Sequence, residues 1–170
     1  MVVILMGVSG AGKTTVGRRL AADLGWSFYE GDDFHPDANV RKMTAGIPLT
    51  DEDRLPWLRS LRALVERCLA TGEDAVIACS ALKESYRRLL AEGLDGVRFV
   101  HLTGDPRLIA ERLEQRAGHF MKPGMLASQF TALEPPENAV VVDVTGSPEE
   151  ITAEVRRRLS LPTAQSSASS

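Results

Sequence analysis

The sequence predicts an α/β fold of three layers, in which helices cover both faces of a five-stranded parallel sheet. Five short apolar segments alternate with helix-like segments, which is the pattern of a parallel sheet. The first apolar segment leads into a glycine-rich loop and then into a helix. A chain of 170 residues is long enough to bury one core, so we expect a single domain over 1–161.

The first strand and the loop after it indicate a phosphate site. Val2 to Met6 form an apolar run that suits a buried strand, and residues 7–14 match G-x-x-x-x-G-K-[ST] at every fixed position. Glycines let several backbone N–H groups approach phosphate oxygens together, and the following helix adds its positive end. The predicted nucleotide-binding residues are Gly7, Ser9, Gly10, Ala11, Gly12, Lys13, Thr14 and Thr15.

Two residues of this P-loop have specific predicted roles. Lys13 would reach the β- and γ-phosphates of ATP, and the Thr14 hydroxyl would bind Mg²⁺. A glycine-rich turn with a chance lysine is the alternative, and the flanking strand and helix disfavour it. We therefore expect ATP and Mg²⁺ as cofactors and treat Lys13 as catalytic.

The segment between the P-loop and the third strand is predicted to hold one strand and three helices. Apolar residues at helical spacing support a helix over 14–24, and a short aromatic strand follows at 26–30. A brief helix over 38–44 precedes a long helix over 50–72, which starts with a threonine N-cap and three acidic residues. Because these two helices interrupt the alternation, we expect an acceptor-binding insertion over about 36–72.

The second half of the chain continues the alternation. Short apolar runs bounded by turn residues predict three further strands, at 75–79, 97–102 and 139–144. A helix is expected after each strand, at 84–92, 105–115 and 147–159. The polar tail over 162–170 is predicted to be disordered.

A polar segment over about 116–136 is predicted to be a lid with a short helix near 125–133. A lid that closes over ATP brings cations onto the phosphates and excludes water. Arg112 and Arg116 lie one helical turn apart, so both could face the nucleotide, and Arg116 is the catalytic candidate. The alternative is a solvated basic helix end, since cations stabilise that terminus.

The composition excludes several function classes. A net charge of −3 gives no basic field for nucleic acid, and no apolar run approaches membrane-spanning length. Cys68 and Cys79 provide neither a disulfide framework nor a metal cluster, which fits a reducing cytoplasm. We therefore expect a cytoplasmic protein with small-molecule partners and without nucleic-acid or membrane partners.

Acidic residues follow the second strand, where ligands of parallel sheets bind. Phosphoryl transfer to an alcohol needs a group that accepts the hydroxyl proton beside Mg²⁺. We assign this role and a metal contact to Asp32, with Glu30 or Asp33 as helpers, because we expect its strand to neighbour the P-loop strand. An isolated acidic trio would be typical of a solvated loop, whereas a nearby P-loop favours the catalytic interpretation.

Three cations surround the expected acceptor pocket. An anionic acceptor would need one or two of them, ideally an arginine that binds both carboxylate oxygens. The candidates are Arg54, Lys83 and Arg87, although each alone is typical of a surface charge.

Longer blocks of the sequence resemble bacterial-type gluconate kinases. The blocks are Gly-Asp (31–32), His-Pro (35–36), GIPLTDEDRLPWL (46–58), CSALKESYR (79–87), and RAGHFMK followed by MLxSQFxxLEPP (116–136). The similarity runs from about Val3 to Val144. It implies ATP-dependent phosphorylation of D-gluconate at the 6-hydroxyl, an adenylate-kinase-like fold and a homodimer.

The resemblance also implies residue roles. Lys13 and Thr14 would hold phosphates and Mg²⁺, and Asp32 would face the acceptor hydroxyl. The acceptor-pocket or lid candidates are His35, Arg54, Lys83, Arg87, His119 and Gln129. The family tends to have Asp-Gly-Asp where this chain has Glu30-Gly31-Asp32, so a carboxylate is preserved at the first position.

Three other functions fit the predicted fold. Shikimate kinase is the nearest, but Cys79-Ser80-Ala81 stands where its glycine-triplet loop is expected. A nucleoside monophosphate kinase would need aromatic residues to stack a second base, and only 5% of the residues are aromatic. A regulator without transfer chemistry would leave Asp32 and the lid cations without a role.

Overall fold

The computed structural model of this protein describes residues 1–115 and 124–162. Its sheet contains five parallel strands in the order β2-β3-β1-β4-β5. The strands are β1 (Val2–Met6), β2 (Ser27–Glu30), β3 (Ala75–Ala78), β4 (Val97–Thr103) and β5 (Ala139–Asp143). The predicted five-stranded parallel sheet is therefore confirmed.

Seven α-helices connect and cover these strands in the described ranges. They are α1 (Lys13–Leu24), α2 (Asp37–Thr44), α3 (Asp51–Thr71), α4 (Glu84–Ala91), α5 (Pro106–Glu114), α6 (Met125–Ala132) and α7 (Pro148–Arg158). A 3₁₀ turn over Gly31–Phe34 contains the acidic residues 32 and 33 that follow the second strand. None of the helices in these ranges is long and apolar enough to cross a membrane.

The central strand β1 is buried on both faces because a core lies on each side of it. Val2, Ile4 and Met6 belong to a core formed with α3 and α4. Val3 and Leu5 point to the opposite face and pack in a core that includes α1, α5 and α7. The three predicted layers are therefore present.

The order of the strands corrects one expectation. The strand that precedes Asp32 was expected beside the P-loop strand, but β3 lies between β2 and β1 and pairs with both. The physical reason is burial. The Ala-Val-Ile-Ala sequence of β3 is fully buried, whereas the more polar Ser-Phe-Tyr-Glu sequence of β2 is half-exposed and takes the edge of the sheet.

The insertion is fastened to the sheet by the start of α3. Thr50 and Asp53 form a capping box, in which each side chain accepts a hydrogen bond from the other residue's backbone N–H. The Asp53 carboxylate also accepts two bonds of 2.8 Å from Lys42 on α2. One turn further along α3, the buried indole of Trp57 donates to the carbonyl of Gly31 at 2.7 Å. These bonds hold α2, α3 and the 3₁₀ turn together at one end of the sheet.

Parts of two predicted segments lie outside the described residues. The first part of the expected lid, 116–123, is one of them, and the tail from 163 to 170 is the other. The second part of the lid contains α6, at the position predicted for a short helix.

Candidate active site

The loop between β1 and α1 depends on glycine for both conformation and space. Gly7, Gly10 and Gly12 have φ values of 143°, 83° and 90°, which L side chains rarely adopt. A Cβ atom on Gly7 would lie 2.5 Å from the carbonyl oxygen of Leu102, and one on Gly10 would lie 2.6 Å from Leu113 Cγ. The loop is therefore fixed against β4 and α5 in the conformation that phosphate-binding backbone requires.

Lys13 folds back over this loop. Its Nζ donates to the carbonyl oxygens of Gly7 at 2.9 Å and Val8 at 3.0 Å. These bonds hold the ammonium group against the loop, and the corresponding lysine of P-loop proteins reaches the β- and γ-phosphates of a bound nucleotide. Thr14 follows Lys13 in the first turn of α1, and its hydroxyl points towards Glu30 at the end of β2.

Thr14 and Glu30 are joined by a hydrogen bond. The Thr14 hydroxyl donates to Glu30 Oε2 at 2.6 Å. Burial raises the pKa of Glu30, the Thr14 bond acts in the opposite direction, and the Asp32 charge raises it further. A hydroxyl and a half-buried carboxylate therefore lie together beside the P-loop.

A cleft of about 310 Å³ opens beyond the carboxyl ends of β1, β2 and β3. Its volume is at the lower end of the range for small-molecule sites. The loops after the three strands, the insertion and residues of α6 line its walls. The polar side chains that line it are Ser9, Lys13, Glu30, Asp32, His35, Arg54, Ser80, Ser128 and Gln129.

Asp32 and His35 lie next to each other on one wall of the cleft. The Asp32 side chain is 76% exposed, and its Oδ1 lies 3.9 Å from Nε2 of His35, whose side chain is 5% exposed. The His35 ring stacks on Trp57 at a centroid distance of 4.3 Å and an angle of 13°. Burial lowers the pKa of His35, with the Asp32 charge opposing that effect and the Arg54 charge adding to it. An accessible carboxylate and a shielded imidazole therefore face the same space.

Arg54 also lines the cleft, near the insertion loop. Its Nη1 donates to the Leu49 carbonyl at 2.8 Å and lies 3.5 Å from the Tyr86 hydroxyl. The carboxylate of Asp51 is 3.8 Å away. The guanidinium thus supplies positive charge to the end of the cleft formed by residues 46–49.

The structure does not bring Lys83 and Arg87 to the walls of this cleft. Lys83 donates two bonds of 2.8 and 2.9 Å to Asp51, and this contact lowers the pKa of Asp51 and raises that of Lys83. Arg87 is buried and donates to the carbonyl oxygens of Ala81 and Leu82, both at 3.0 Å. Both cations therefore brace the loop after β3.

Gln129 contacts the P-loop. Its Oε1 accepts a bond of 2.7 Å from the Ser9 N–H, and its Nε2 donates to the Ser9 hydroxyl at 3.0 Å. This pair of bonds joins α6 to the phosphate loop across 120 residues of sequence. Gln129 thus both lines the cleft and contacts the P-loop.

The remaining predicted residues lie further from the cleft or outside the described ranges. Arg112 donates to the carbonyl of Gly146 at 3.3 Å, in the loop after β5. Arg116 and His119 are outside the described residues.

The donor set fits a nucleotide with Mg²⁺. No group of three or more His, Cys, Asp or Glu side chains within the described ranges could hold a metal. Mg²⁺ in nucleotide sites takes one or two protein oxygens and completes its shell with phosphates and waters. Thr14, Glu30 and Asp32 offer such oxygens beside a loop shaped for phosphate.

Sequence reasoning missed three contacts of the site. They are the bond from Asn39 to His35, the bond from Trp57 to Gly31, and the pairing of Gln129 with Ser9. The residues of the last two contacts are far apart in sequence, so periodicity carries no signal for them. Asn39 lies four residues after His35, and this helical spacing is the one available hint.

Comparisons with known proteins support the fold and show the family of the chain. A family model described as an AAA domain matches residues 2–136. A probable gluconokinase of Mus musculus is 46% identical over 178 residues, covering 93% of this chain and 97% of that protein. The crystal structure of a gluconokinase from Sinorhizobium meliloti 1021 has a TM-score of 0.77 and 44% identity, covering 93% of this chain and 94% of that one. A shikimate kinase from Aquifex aeolicus vf5 has a TM-score of 0.63 at 16% identity, covering 94% and 96% of the two chains, and confirms the predicted fold class alone.

Proposed function

This chain belongs to the gluconokinase family of P-loop kinases, and from that premise we infer that it phosphorylates D-gluconate. The reaction transfers the γ-phosphoryl group of ATP to the 6-hydroxyl and gives 6-phospho-D-gluconate and ADP. The bond from oxygen to the γ-phosphorus forms, the bond from that phosphorus to the β-bridging oxygen breaks, and the hydroxyl proton passes to the carboxylate of Asp32 and from there to solvent. Catalysis of such a reaction consists mainly of positioning and charge stabilisation.

One structural observation supports this inference independently of family membership. Lys13 of the P-loop, Glu30 and Asp32 all line the same cleft, at the carboxyl ends of three strands, and Glu30 accepts a hydrogen bond from Thr14. A phosphate loop without an acceptor site would not need an accessible carboxylate and a shielded imidazole beside it. The arrangement supports transfer to a small molecule held in the cleft.

The P-loop residues would hold the nucleotide and its metal ion. The backbone N–H groups from Gly10 to Thr15, together with Lys13, would bind the phosphates, and Arg112 and Arg116 would approach them from the lid side. Thr14 and Asp32 would contact Mg²⁺, with Glu30 accepting the Thr14 hydroxyl proton in a hydrogen bond. When bound, Mg²⁺ neutralises charge that develops on the transferred group.

The acceptor would lie with its ends at different walls of the cleft. Asp32 would accept or orient the proton of the 6-hydroxyl, and His35 would donate a hydrogen bond from the same wall. Arg54 would bind the carboxylate at the opposite end of the sugar acid, because a guanidinium is well suited to that group. Gln129 and His119 would act from the lid, while Lys83 and Arg87 would support the pocket indirectly through the loop after β3.

The proposal also includes the oligomeric state of the protein and the cellular compartment in which it works. Like the family it resembles, the chain would form a homodimer and work in the cytoplasm. Size-exclusion chromatography with light scattering would test the dimer, and a monomer at micromolar concentration would remove that part of the proposal.

An acceptor panel tests the function directly. Release of ADP would be measured with ATP, Mg²⁺ and either gluconate, shikimate, a nucleoside monophosphate or no acceptor. We expect release only with gluconate, and phosphorus NMR of the product should show a primary phosphate ester. Turnover with shikimate alone would transfer the assignment to that acceptor, and release that no acceptor stimulates would indicate an ATPase or a regulator.

A further inference from the structure

Asn39 is a buried polar side chain next to the acceptor wall of the cleft. It lies on α2 and is 3% exposed. Its Nδ2 donates to the backbone carbonyl of Asp53 at 2.8 Å and lies 3.2 Å from Nδ1 of His35. Both hydrogens of one amide nitrogen are therefore engaged, one by α3 and one by the histidine ring.

The carbonyl of Asp53 fixes which way this amide faces. A carbonyl oxygen only accepts hydrogen bonds, so the NH₂ end of Asn39 and not its oxygen must point to it. The same nitrogen faces His35, and Nδ1 must therefore accept. A neutral imidazole that accepts at Nδ1 carries its proton on Nε2. The hydrogen-bond chain thus selects one of the two neutral tautomers of His35.

The position of the ring directs the Nε2–H group of that tautomer towards Asp32. Nε2 is the ring nitrogen that faces Asp32, at 3.9 Å from Oδ1, and His35 lines the cleft. Trp57 fixes the plane of the ring by stacking, and its indole N–H fixes the backbone at Gly31, directly before Asp32. An N–H donor and a carboxylate are thereby held side by side by one set of buried contacts.

We propose that Asn39 is a positioning residue, which holds His35 in the Nε2–H tautomer so that His35 donates a hydrogen bond to the acceptor hydroxyl beside Asp32. The role in the reaction rests on the function proposed above, whereas the tautomer does not. With the proton on Nδ1 instead, Nε2 would present a lone pair towards Asp32. That arrangement would repel the carboxylate and compete with it for the hydroxyl proton.

Burial of the ring is consistent with a neutral histidine. Burial lowers the pKa of His35, and the two charged groups that influence it act in opposite directions, Asp32 raising the pKa and Arg54 lowering it. The proposal does not depend on titration, since it concerns which nitrogen carries the proton of the neutral ring.

The tautomer can be observed in the unmodified protein. Long-range proton–nitrogen spectra of the imidazole rings would be recorded about two pH units above the ordinary histidine pKa of about 6.5. The chain has three histidines, so the His35 signals can be assigned by their loss in His35→Gln. We expect His35 to show a protonated Nε2 and an unprotonated Nδ1. A proton on Nδ1 would overturn the proposal without any other variant.

Kinetic measurements on two variants with substitutions in α2 form the second part of the experiment. Asn39→Leu keeps the approximate volume and removes the donor, whereas Lys42→Met removes a different bond between α2 and α3, the one to Asp53. We expect Asn39→Leu to move the His35 signals towards a mixture of tautomers and to lower kcat/KM for gluconate about five- to tenfold, the size of one neutral hydrogen bond. The KM for ATP should stay unchanged. Lys42→Met should change neither the tautomer nor kcat/KM.

Several results would contradict the proposal. Equal kinetic losses in Lys42→Met and Asn39→Leu would mean that Asn39 only fastens α2 to α3. An unchanged tautomer in Asn39→Leu would overturn the proposed selection of the tautomer by Asn39. An unchanged kcat/KM would overturn the proposed role of that tautomer in the reaction. In His35→Gln the amide supplies a donor near the Nε2 position, so adding Asn39→Leu to it should have little further effect. An additive loss would indicate a general structural role. If the unmodified protein does not phosphorylate gluconate at all, the proposed function fails while the tautomer result is still decided.

Discussion

The hydroxyl of Thr14 donates a 2.6 Å hydrogen bond to the carboxylate of Glu30, across the width of an intervening strand. Strands β1 and β2 are separated by β3, and neighbouring strands lie about 4.8 Å apart. A glutamate side chain is long enough to bridge the remaining gap, whereas the first aspartate of an Asp-Gly-Asp element is shorter by one methylene group. This chain therefore links its P-loop to the acidic turn through a direct contact between side chains.

Glu30→Gln should weaken the metal site and leave the fold intact. Gln keeps an oxygen that accepts from Thr14 but removes the negative charge beside it. Loss of such a supporting carboxylate typically costs about 10–100-fold in metal affinity or activity. Titration of activity with Mg²⁺ at saturating ATP should show a correspondingly higher half-saturating concentration. An unchanged Mg²⁺ dependence would assign Glu30 a structural role only.

The same variant carries a pH signature in stability. Burial raises the pKa of Glu30 above its ordinary value of 4.5, so the folded protein favours the protonated form. The stabilising contribution of that form is present below the unfolded pKa and is lost as the pH rises through the folded pKa. Relative to Glu30→Gln, the unmodified protein should lose stability as the pH rises from below 4.5 towards neutrality. Thermal melts of both proteins at several pH values test this, and a stability difference that stays constant or changes in the opposite direction as the pH rises would contradict it.

Lys13→Ala should severely reduce catalysis without unfolding the protein. The ammonium group of Lys13 donates hydrogen bonds to two loop carbonyls, and the Lys13 side chain belongs to neither hydrophobic core. Removal of a charge aimed at the transferred phosphoryl group should lower kcat by about a hundredfold or more. Circular dichroism and melting temperature provide the control, with Arg41→Ala on the exposed face of α2 as a matched loss of charge. An unfolded Lys13→Ala protein would contradict this assignment.

Arg54→Ala and Lys83→Ala should differ in their effect on gluconate. Arg54 lines the cleft, whereas Lys83 is bound to Asp51 behind it. Loss of a charged hydrogen bond to the carboxylate should raise the KM of Arg54→Ala for gluconate about 10–100-fold, with kcat less affected. Lys83→Ala should change KM much less. Steady-state kinetics with gluconate varied at saturating ATP measures both, and the reverse order would move the carboxylate site to Lys83.

Gln129→Leu should uncouple α6 from the P-loop. The change removes both bonds to Ser9, so we expect kcat/KM for gluconate to fall about tenfold. Thr131→Ala on the exposed face of the same helix is the matched control, since its hydroxyl bonds only the carbonyl of Ala127 among the described residues. Equal effects of the two variants would show that helix stability and not the Ser9 contact is responsible.

The helices and strands could be predicted from sequence because local signals define them. The P-loop glycines, the Thr50 cap and the Ser147-Pro148 pair each determine where a helix begins. The order of the strands in the sheet could not be predicted, because an apolar run indicates that a strand is buried but does not indicate which strands pair with it. The half-polar composition of β2 was the available hint that it lies at the edge.

Site residues were harder to predict than the fold, since chain position says little about where a long side chain points. Arg54 and Arg87 were equal candidates in the sequence, yet only Arg54 borders the cleft. Arg87 turns inward to two carbonyl groups of its own loop. Asn39 carried no motif at all, and its importance depends on the exact bond geometry around His35.

Asp32→Asn tests the central claim most directly. The substitution keeps the shape and the hydrogen-bonding reach of the side chain but removes the oxygen that would accept the hydroxyl proton. General-base catalysis typically contributes about 10²–10⁴-fold, so kcat for gluconate phosphorylation should fall within that range. Binding of ATP should persist, because Lys13 and the loop N–H groups are unchanged, and Asp33→Asn at the next exposed position should have a much smaller effect. The measurement is kcat from ADP release at saturating ATP, gluconate and Mg²⁺, since Asp32 is also a proposed metal contact. A fall of about 10²–10⁴-fold is the predicted result, and a near-normal kcat in Asp32→Asn would contradict the assignment of Asp32 as the proton acceptor.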